Sequence, residues 1–220
     1  MKTSAGQTVL EEITEEKDLG VWINNTMKPS LQCSKSAAKA MSALACIRKS
    51  FSYFDIQSFM IIYRTYIRPH LEYCVQAWNP YLIKDIKCLE RVQRRATKLV
   101  PSLRKYTYEK RLELLNLYSL ENRRERGDLI ETFKILKGLE NVDKERLFTL
   151  SENAHLRGHE LKLKKSRPRL DIRKHFFSQR IVNAWNKLPK EVIEQGTVTG
   201  FKIALDKYWK RKGYGYQTRL

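Results

Sequence analysis

Apolar positions recur at three- and four-residue spacing through most of the chain, which predicts helices rather than strands. Ser34 stands where it would cap a helix to about Ser50, with Ala37, Met41, Leu44, Ala45 and Ile47 on one face. Asp55 would cap the next, and Ile56, Phe59, Met60, Tyr63 and Ile67 give it an apolar side. Pro69 should kink or restart that helix, leaving Leu71 to Trp78 as a second half that Asn79-Pro80 ends. From Asp85 to Val100, Ile86, Leu89, Val92, Ala96 and Leu99 line one side and Arg91, Arg94, Arg95 and Lys98 the other, an amphipathic helix with a basic outer face. Thr107 caps a short helix to Leu115, and Ser119 a longer one to Lys137 with Gly138 just beyond it.

After residue 138 the pattern changes. Residues 139–153 read as a loop and the best domain boundary. His159 to Lys164 and Arg169 to Arg173 alternate polar and apolar around Lys165-Ser166-Arg167-Pro168, which predicts a small basic hairpin. A helix from about Lys174 to Leu188 turns Phe177, Ile181, Ala184, Trp185 and Leu188 inward, and Thr199 would cap a last one carrying Phe201, Ala204, Leu205, Tyr208 and Trp209. At the other end, residues 1–17 read as frayed, and Asp18 to Ile23 as a short apolar run with a strand-like end. The expected architecture is mainly α: a tail with a strand remnant over 1–24, a helical bundle over 25–138, and a small basic α+β part over 139–220.

Charge changes the picture most. Lys and Arg number 43 against 24 Asp and Glu, a net charge of +19. The excess is clustered: residues 81–126 and 154–180 each carry +7, and residues 127–153 between them carry −2. Such blocks suit nucleic-acid phosphates or an anionic surface. A hydrophobic content of 42% is globular rather than disordered. The four cysteines form no Cys-x-x-Cys pair, so reduced thiols and an intracellular setting, nucleus or cytoplasm, are expected. No apolar run approaches the roughly 18 residues of a membrane span, and the polar, acidic N-terminus is not a signal peptide.

Catalytic signatures are missing. Paired metal ions need close carboxylates, and no two aspartates are adjacent here. Glu11-Glu12 and Glu15-Glu16 read as a solvated run. His155 and His159 lack a Glu or Cys at zinc-motif spacing, His70 reads as packing or capping, and His175 as an addition to its basic stretch. No phosphate loop, dinucleotide loop or nucleophile elbow occurs. No catalytic residue, metal or cofactor is expected. The candidate phosphate contacts are Arg91, Arg94, Arg95 and Lys98, spaced to reach one backbone, and Lys162, Lys164, Lys165, Arg167, Arg169, Arg173 and Lys174 on the hairpin. Arg123 and Arg124, with Arg126, form a third cluster, against which Glu121 and Glu125 could pair. Trp185 and Trp209 sit at core spacing; Phe176 and Tyr106 are looser candidates for stacking on bases.

Several words of the sequence resemble, in order, the C-terminal part of the polyprotein of non-LTR retrotransposons of the jockey and chicken-repeat type. They are Asp18-Leu19-Gly20-Val21, Tyr66-Ile67-Arg68-Pro69-His70-Leu71-Glu72-Tyr73-Cys74, Trp78-Asn79-Pro80, Leu89-Glu90-Arg91-Val92-Gln93-Arg94-Arg95-Ala96-Thr97-Lys98 and Tyr108-Glu109-Lys110-Arg111-Leu112. Further on come Arg123-Arg124-Glu125-Arg126-Gly127-Asp128-Leu129-Ile130, Arg157-Gly158-His159, Phe176-Phe177-Ser178-Gln179-Arg180 and Trp185-Asn186-Lys187-Leu188-Pro189. The resemblance implies the thumb and post-thumb region of a reverse transcriptase, an RNA-directed DNA polymerase, beginning with the strand that closes the palm. The palm's Tyr-x-Asp-Asp motif and the endonuclease have no match here, so no catalytic residue carries over. What carries over is the thumb's grip on a template–primer duplex, with RNA, DNA or a hybrid as partner and the palm and fingers of a related polymerase as another. Two alternatives stand beside it: a piece of a longer active reverse transcriptase, and a domesticated protein-interaction module.

Overall fold

The computed structural model describes residues 12–151 and 158–214. The expectations for residues 1–11, His155, Arg157 and the tail past Tyr214 lie outside them. The fold is mainly α, with one two-stranded sheet among the described residues. No helix there is long and apolar enough to cross a membrane.

The sheet is a hairpin whose second strand falls on the run expected to be strand-like and whose first reaches back into the stretch expected to fray. Strand β1 (Glu15–Asp18) pairs antiparallel with β2 (Val21–Asn24), from Glu15 opposite Asn24 to Asp18 opposite Val21. Leu19 and Gly20 make the turn at φ +43° and +87°, and a two-residue hairpin turn with both φ positive matches the twist of its strands. A Cβ on Gly20 would stand 3.2 Å from the Tyr73 ring, whose hydroxyl donates to the Leu19 carbonyl at 2.9 Å. The turn is therefore docked on the helical part.

Helix α1 (Ser30–Ser50) starts a turn before Ser34. Pro29 presets the entry φ, and the Gln32 side chain accepts from the Trp22 amide at 2.9 Å, tying the first turn to the hairpin. Cys33, Ala37, Ala40 and Leu44 form its buried stripe; Ala45 is exposed. Those small side chains let α5 approach closely. Asp55 caps α2 (Ile56–Ile62) by accepting from the Ser58 amide. The helix then widens into a π turn, Tyr63–Ile67, before α3 (Arg68–Glu72). Widening accommodates Pro69, which has no N–H and whose ring would crowd the carbonyl a turn back. The break falls later, at Cys74 (φ +51°), before α4 (Val75–Trp78).

Helix α5 (Ile83–Ala96) ends in two 3₁₀ turns. Thr107 caps α6 (Tyr108–Leu114) and Ser119 caps α7 (Leu120–Leu136), both as expected from sequence. Gly138 at φ +69° closes α7 in a Schellman motif: the Leu139 amide donates to Lys134 O at 2.8 Å and the Gly138 amide to Ile135 O at 3.1 Å. After α8 (Lys144–Leu147) come the short α9 (Asp171–Lys174), α10 (Phe177–Arg180), α11 (Val182–Asn186) and α12 (Lys190–Ile193). The single helix expected over 174–188 is thus divided, though Ile181, Trp185 and Leu188 do face inward. Thr197, not Thr199, caps α13 (Val198–Arg211), accepting from the Gly200 amide.

Buried side chains form two clusters. The first joins Val21 and α1 through α6 to Leu120; the second runs from Leu129 to Trp209. Phe133 stacks on Phe201 at 4.3 Å in the second. Packing therefore divides within α7, not at the 139–153 loop. One helix is shared by both cores and couples them mechanically.

Candidate nucleic-acid interface

Helix α5 keeps the polarity its sequence predicts. Leu89, Val92 and Ala96 are buried, Arg91, Arg95 and Lys98 are exposed, and Arg94 is half-buried. The Arg94 guanidinium lies 4.5 Å from the Tyr108 ring centroid, a cation–π contact that fixes its stem. Lys84 and Lys87 extend the exposed stripe toward the N-terminus, and Arg104 and Lys105 follow it. Arg104 donates to Lys98 O at 3.0 Å. Lys84 and Lys87 were legible from three- and four-residue spacing; Arg104 and Lys105 needed the fold. From Lys84 to Lys98 the stripe rises about 21 Å, the axial length of about six phosphates on one strand.

The second basic block is exposed but is not a hairpin. His159 to Leu163 is irregular, with a bend at Glu160 and one antiparallel bridge between Leu163 and Leu150, and Asp171–Lys174 is helical. Alternation does turn Leu163 inward, yet side chains from α11 supply the pairing edge. The Asn186 amide donates to Leu163 O and accepts from Leu163 N, both at 2.8 Å. The Trp185 indole donates to Leu161 O at 2.7 Å, and His159 Nε2 meets Trp185 O at 3.2 Å. Anchored so, the segment presents Lys164, Lys165, Arg167, Arg169, Arg173 and Lys174 to solvent, with Lys162 half-buried. Lys164, Arg173 and Arg146 line one cleft beside Glu145.

Two expected contacts point inward. Arg123 is ion-paired through Nε and Nη2 with Glu72. Arg124 is 1% exposed and donates to Asn79 Oδ1 at 3.0 Å. Burial lowers its pKa, and the Glu90 charge opposes that. Arg126 is paired bidentately with Asp206 at 2.7 and 2.8 Å. The acids facing this cluster thus include Glu72 and Asp206, which lie far from it in sequence.

These arginines belong to a buried polar network that sequence reading missed. Glu90 accepts from the Tyr108 hydroxyl and from Leu120 N at 3.1 Å, placing a carboxylate at the N-terminus of α7. Burial raises its pKa, while Tyr108 and Arg124 pull it down. Gln93 accepts from the Tyr63 hydroxyl and donates to Tyr108 Oη and Tyr118 O, each at 3.0 Å. Asp128, 1% exposed, holds Arg180 at 2.8 and 3.0 Å. Arg180 also donates to Gln76 O at 3.0 Å and His175 O at 3.1 Å, so a residue of α10 reaches the carbonyls of α4.

His175 does not add to the basic surface. Its ring stacks on Tyr81 at 3.9 Å, and burial, then the Lys174 charge, lowers its pKa. Trp185 and Trp209 are core. Phe176 and Tyr106 are 40% and 38% exposed, each beside a cation: Arg173 at 5.3 Å and Lys105 at 5.2 Å. Among the described residues no three His, Cys, Asp or Glu side chains are grouped as metal ligands. No family model, no curated protein and no solved structure matches the chain.

Proposed function

We propose that the chain binds duplex or structured nucleic acid through its phosphate backbone, in the manner of the thumb and post-thumb region of a non-LTR retrotransposon reverse transcriptase. One observation carries this reading. Arg91, Arg95 and Lys98, and Lys165, Arg167, Arg169 and Lys174, stay exposed, while Arg123, Arg124, Arg126 and Arg180 are tied to other side chains of the fold. Exposed cations in two separate blocks cost self-repulsion unless an anion neutralises them. Phe176 and Tyr106 give an unpaired base a surface to stack on beside each block. The chain grips and positions; chemistry belongs to the palm and fingers that the resemblance places before it.

Fluorescence anisotropy with an RNA–DNA hybrid tests this. Six phosphate contacts predict about a thousandfold loss of affinity between 50 and 200 mM salt, with little sequence preference. An affinity that barely moves over that range would refute the proposal.

A further inference from the structure

A second basic feature lies where the two cores meet. A cavity of about 330 Å³ is lined by Arg64, Arg68, Arg123, Arg126, Lys210 and Asp206, floored by the turn from Asn116 to Tyr118. Five cations share the lining with one carboxylate, and Glu72, outside it, pairs with Arg123. The elements come from both halves: the π turn, α3, α7 and α13.

The carboxylates here act as holders. Glu72 grips Arg123 and Asp206 grips Arg126, each two-pronged. Asp206 also accepts from the Tyr118 hydroxyl at 3.3 Å. A guanidinium has five N–H donors and such a pair uses two, so three remain on each, in a fixed plane. Arg64 and Lys210 are exposed, and no carboxylate among the described residues lies within salt-bridge distance of either. Arg68 is 3.7 Å from Glu72, and burial, then the Arg123 charge, lowers its pKa. The cavity is therefore crowded with positive charge and walled by oriented donors, the arrangement that recognises a multiply charged oxyanion.

We infer that this junction cavity is a phosphate-binding site for a group bearing two or more negative charges, such as a terminal phosphate or a short polyphosphate. It is separate from the α5 and 164–174 surfaces and does not rest on their role. Because the lining spans both cores, an occupant cross-links them.

Isothermal titration of the whole chain with inorganic pyrophosphate, at matched ionic strength against chloride, is the direct test. An Arg64→Gln/Lys210→Gln pair should weaken binding about tenfold or more, and an Arg91→Gln/Arg95→Gln pair should leave it unchanged. Both pairs alter exposed side chains, so folding is preserved. Pyrophosphate affinity equal in the two variants, or no greater than that of chloride, would overturn the site. A 5′-phosphorylated hybrid that outbinds its hydroxyl-ended twin, with the advantage abolished in the Arg64/Lys210 variant, identifies a nucleic-acid end as the source. Pyrophosphate binding without that advantage identifies a free polyanion. Failure of hybrid binding altogether would count against the proposed function and leave the pyrophosphate result standing.

Discussion

Replacing Arg180 by Ala strips the Asp128 carboxylate of its two-pronged partner at 2.8 and 3.0 Å. What remains is one amide donor, Asn79 Nδ2 at 3.3 Å. Asp128 is 1% exposed, so solvent cannot take over. The carbonyls of His175 and Gln76 lose a donor as well. Removing one partner of a buried pair costs about 3–5 kcal/mol, against roughly 5–15 kcal/mol for a whole domain. The pH dependence distinguishes this from general damage. Burial already raises the Asp128 pKa and Arg180 opposes it, so the variant raises it further. A folded-state pKa above the unfolded one means the native state holds its proton more tightly. Stability is then greatest below the unfolded value of about 3.9 and is lost as pH rises through the folded value. Arg180→Ala should therefore cost least near that acid limit and most at neutral pH. Urea unfolding followed by tryptophan fluorescence reads both cores, Trp78 in the first and Trp185 and Trp209 in the second. Asp128→Asn combined with Arg180→Met should recover most of the loss, because no buried charge is left alone. A cost under about 1 kcal/mol with a flat pH profile would show that this pair does not join the cores.

Glu90→Ala should cost about 2–3 kcal/mol in the same assay, since the Tyr108 hydroxyl and the Leu120 amide lose their acceptor. Burial raises the Glu90 pKa, so its contribution also fades as pH rises above about 4.3. Glu90→Gln should flatten that slope; an unchanged slope would contradict it. Arg124→Met should destabilise by about 2 kcal/mol, because the half-buried Asn79 side-chain carbonyl loses its donor, yet leave the salt dependence of hybrid binding untouched; a reduced slope would return Arg124 to the interface. Cys33 is fully buried and its thiol is pushed up to about 12, chiefly by burial, whereas Cys46 and Cys74 are exposed. A thiol reagent should label Cys46 and Cys74 in native protein and reach Cys33 only on unfolding, as peptide mapping after timed labelling would show.

Features fixed within a few residues were legible in the chain. The caps at Asp55, Thr107 and Ser119, and Gly138, depend on one side chain or one φ and stand where the pattern puts them. What a distant residue decides was not. Helix α1 begins early because Gln32 reaches back to Trp22. The stretch 159–173 alternates like a strand, but Asn186 takes the edge a hairpin partner would have occupied. Arg91 and Arg123 both sit on helices among other arginines, and the carboxylate that makes Arg123 structural, Glu72, lies 51 residues away. Counting charge located the basic blocks; it could not tell which members were already paired.

Three of the words that resemble the retrotransposon family meet at the joint between the cores. Asn79 of Trp-Asn-Pro holds Arg124 and Asp128, Arg180 closes Phe-Phe-Ser-Gln-Arg onto Asp128, and Asn186 of Trp-Asn-Lys-Leu-Pro anchors the second basic block. Architecture and the proposed grip are therefore separable by substitution. Arg91→Gln/Arg95→Gln/Lys98→Gln changes only exposed positions on α5 and the turn that follows it. It should keep the unfolding midpoint and lower the salt slope of hybrid binding by about 2.7, at roughly 0.9 for each phosphate that is no longer neutralised. Asn79→Ala leaves every basic position intact but unseats Arg124 and Asp128, and should lower stability by about 2 kcal/mol with the slope unchanged. If the triple variant unfolded early and Asn79→Ala abolished the slope, the division of labour between surface and joint would be the reverse of the one argued from the ion pairs.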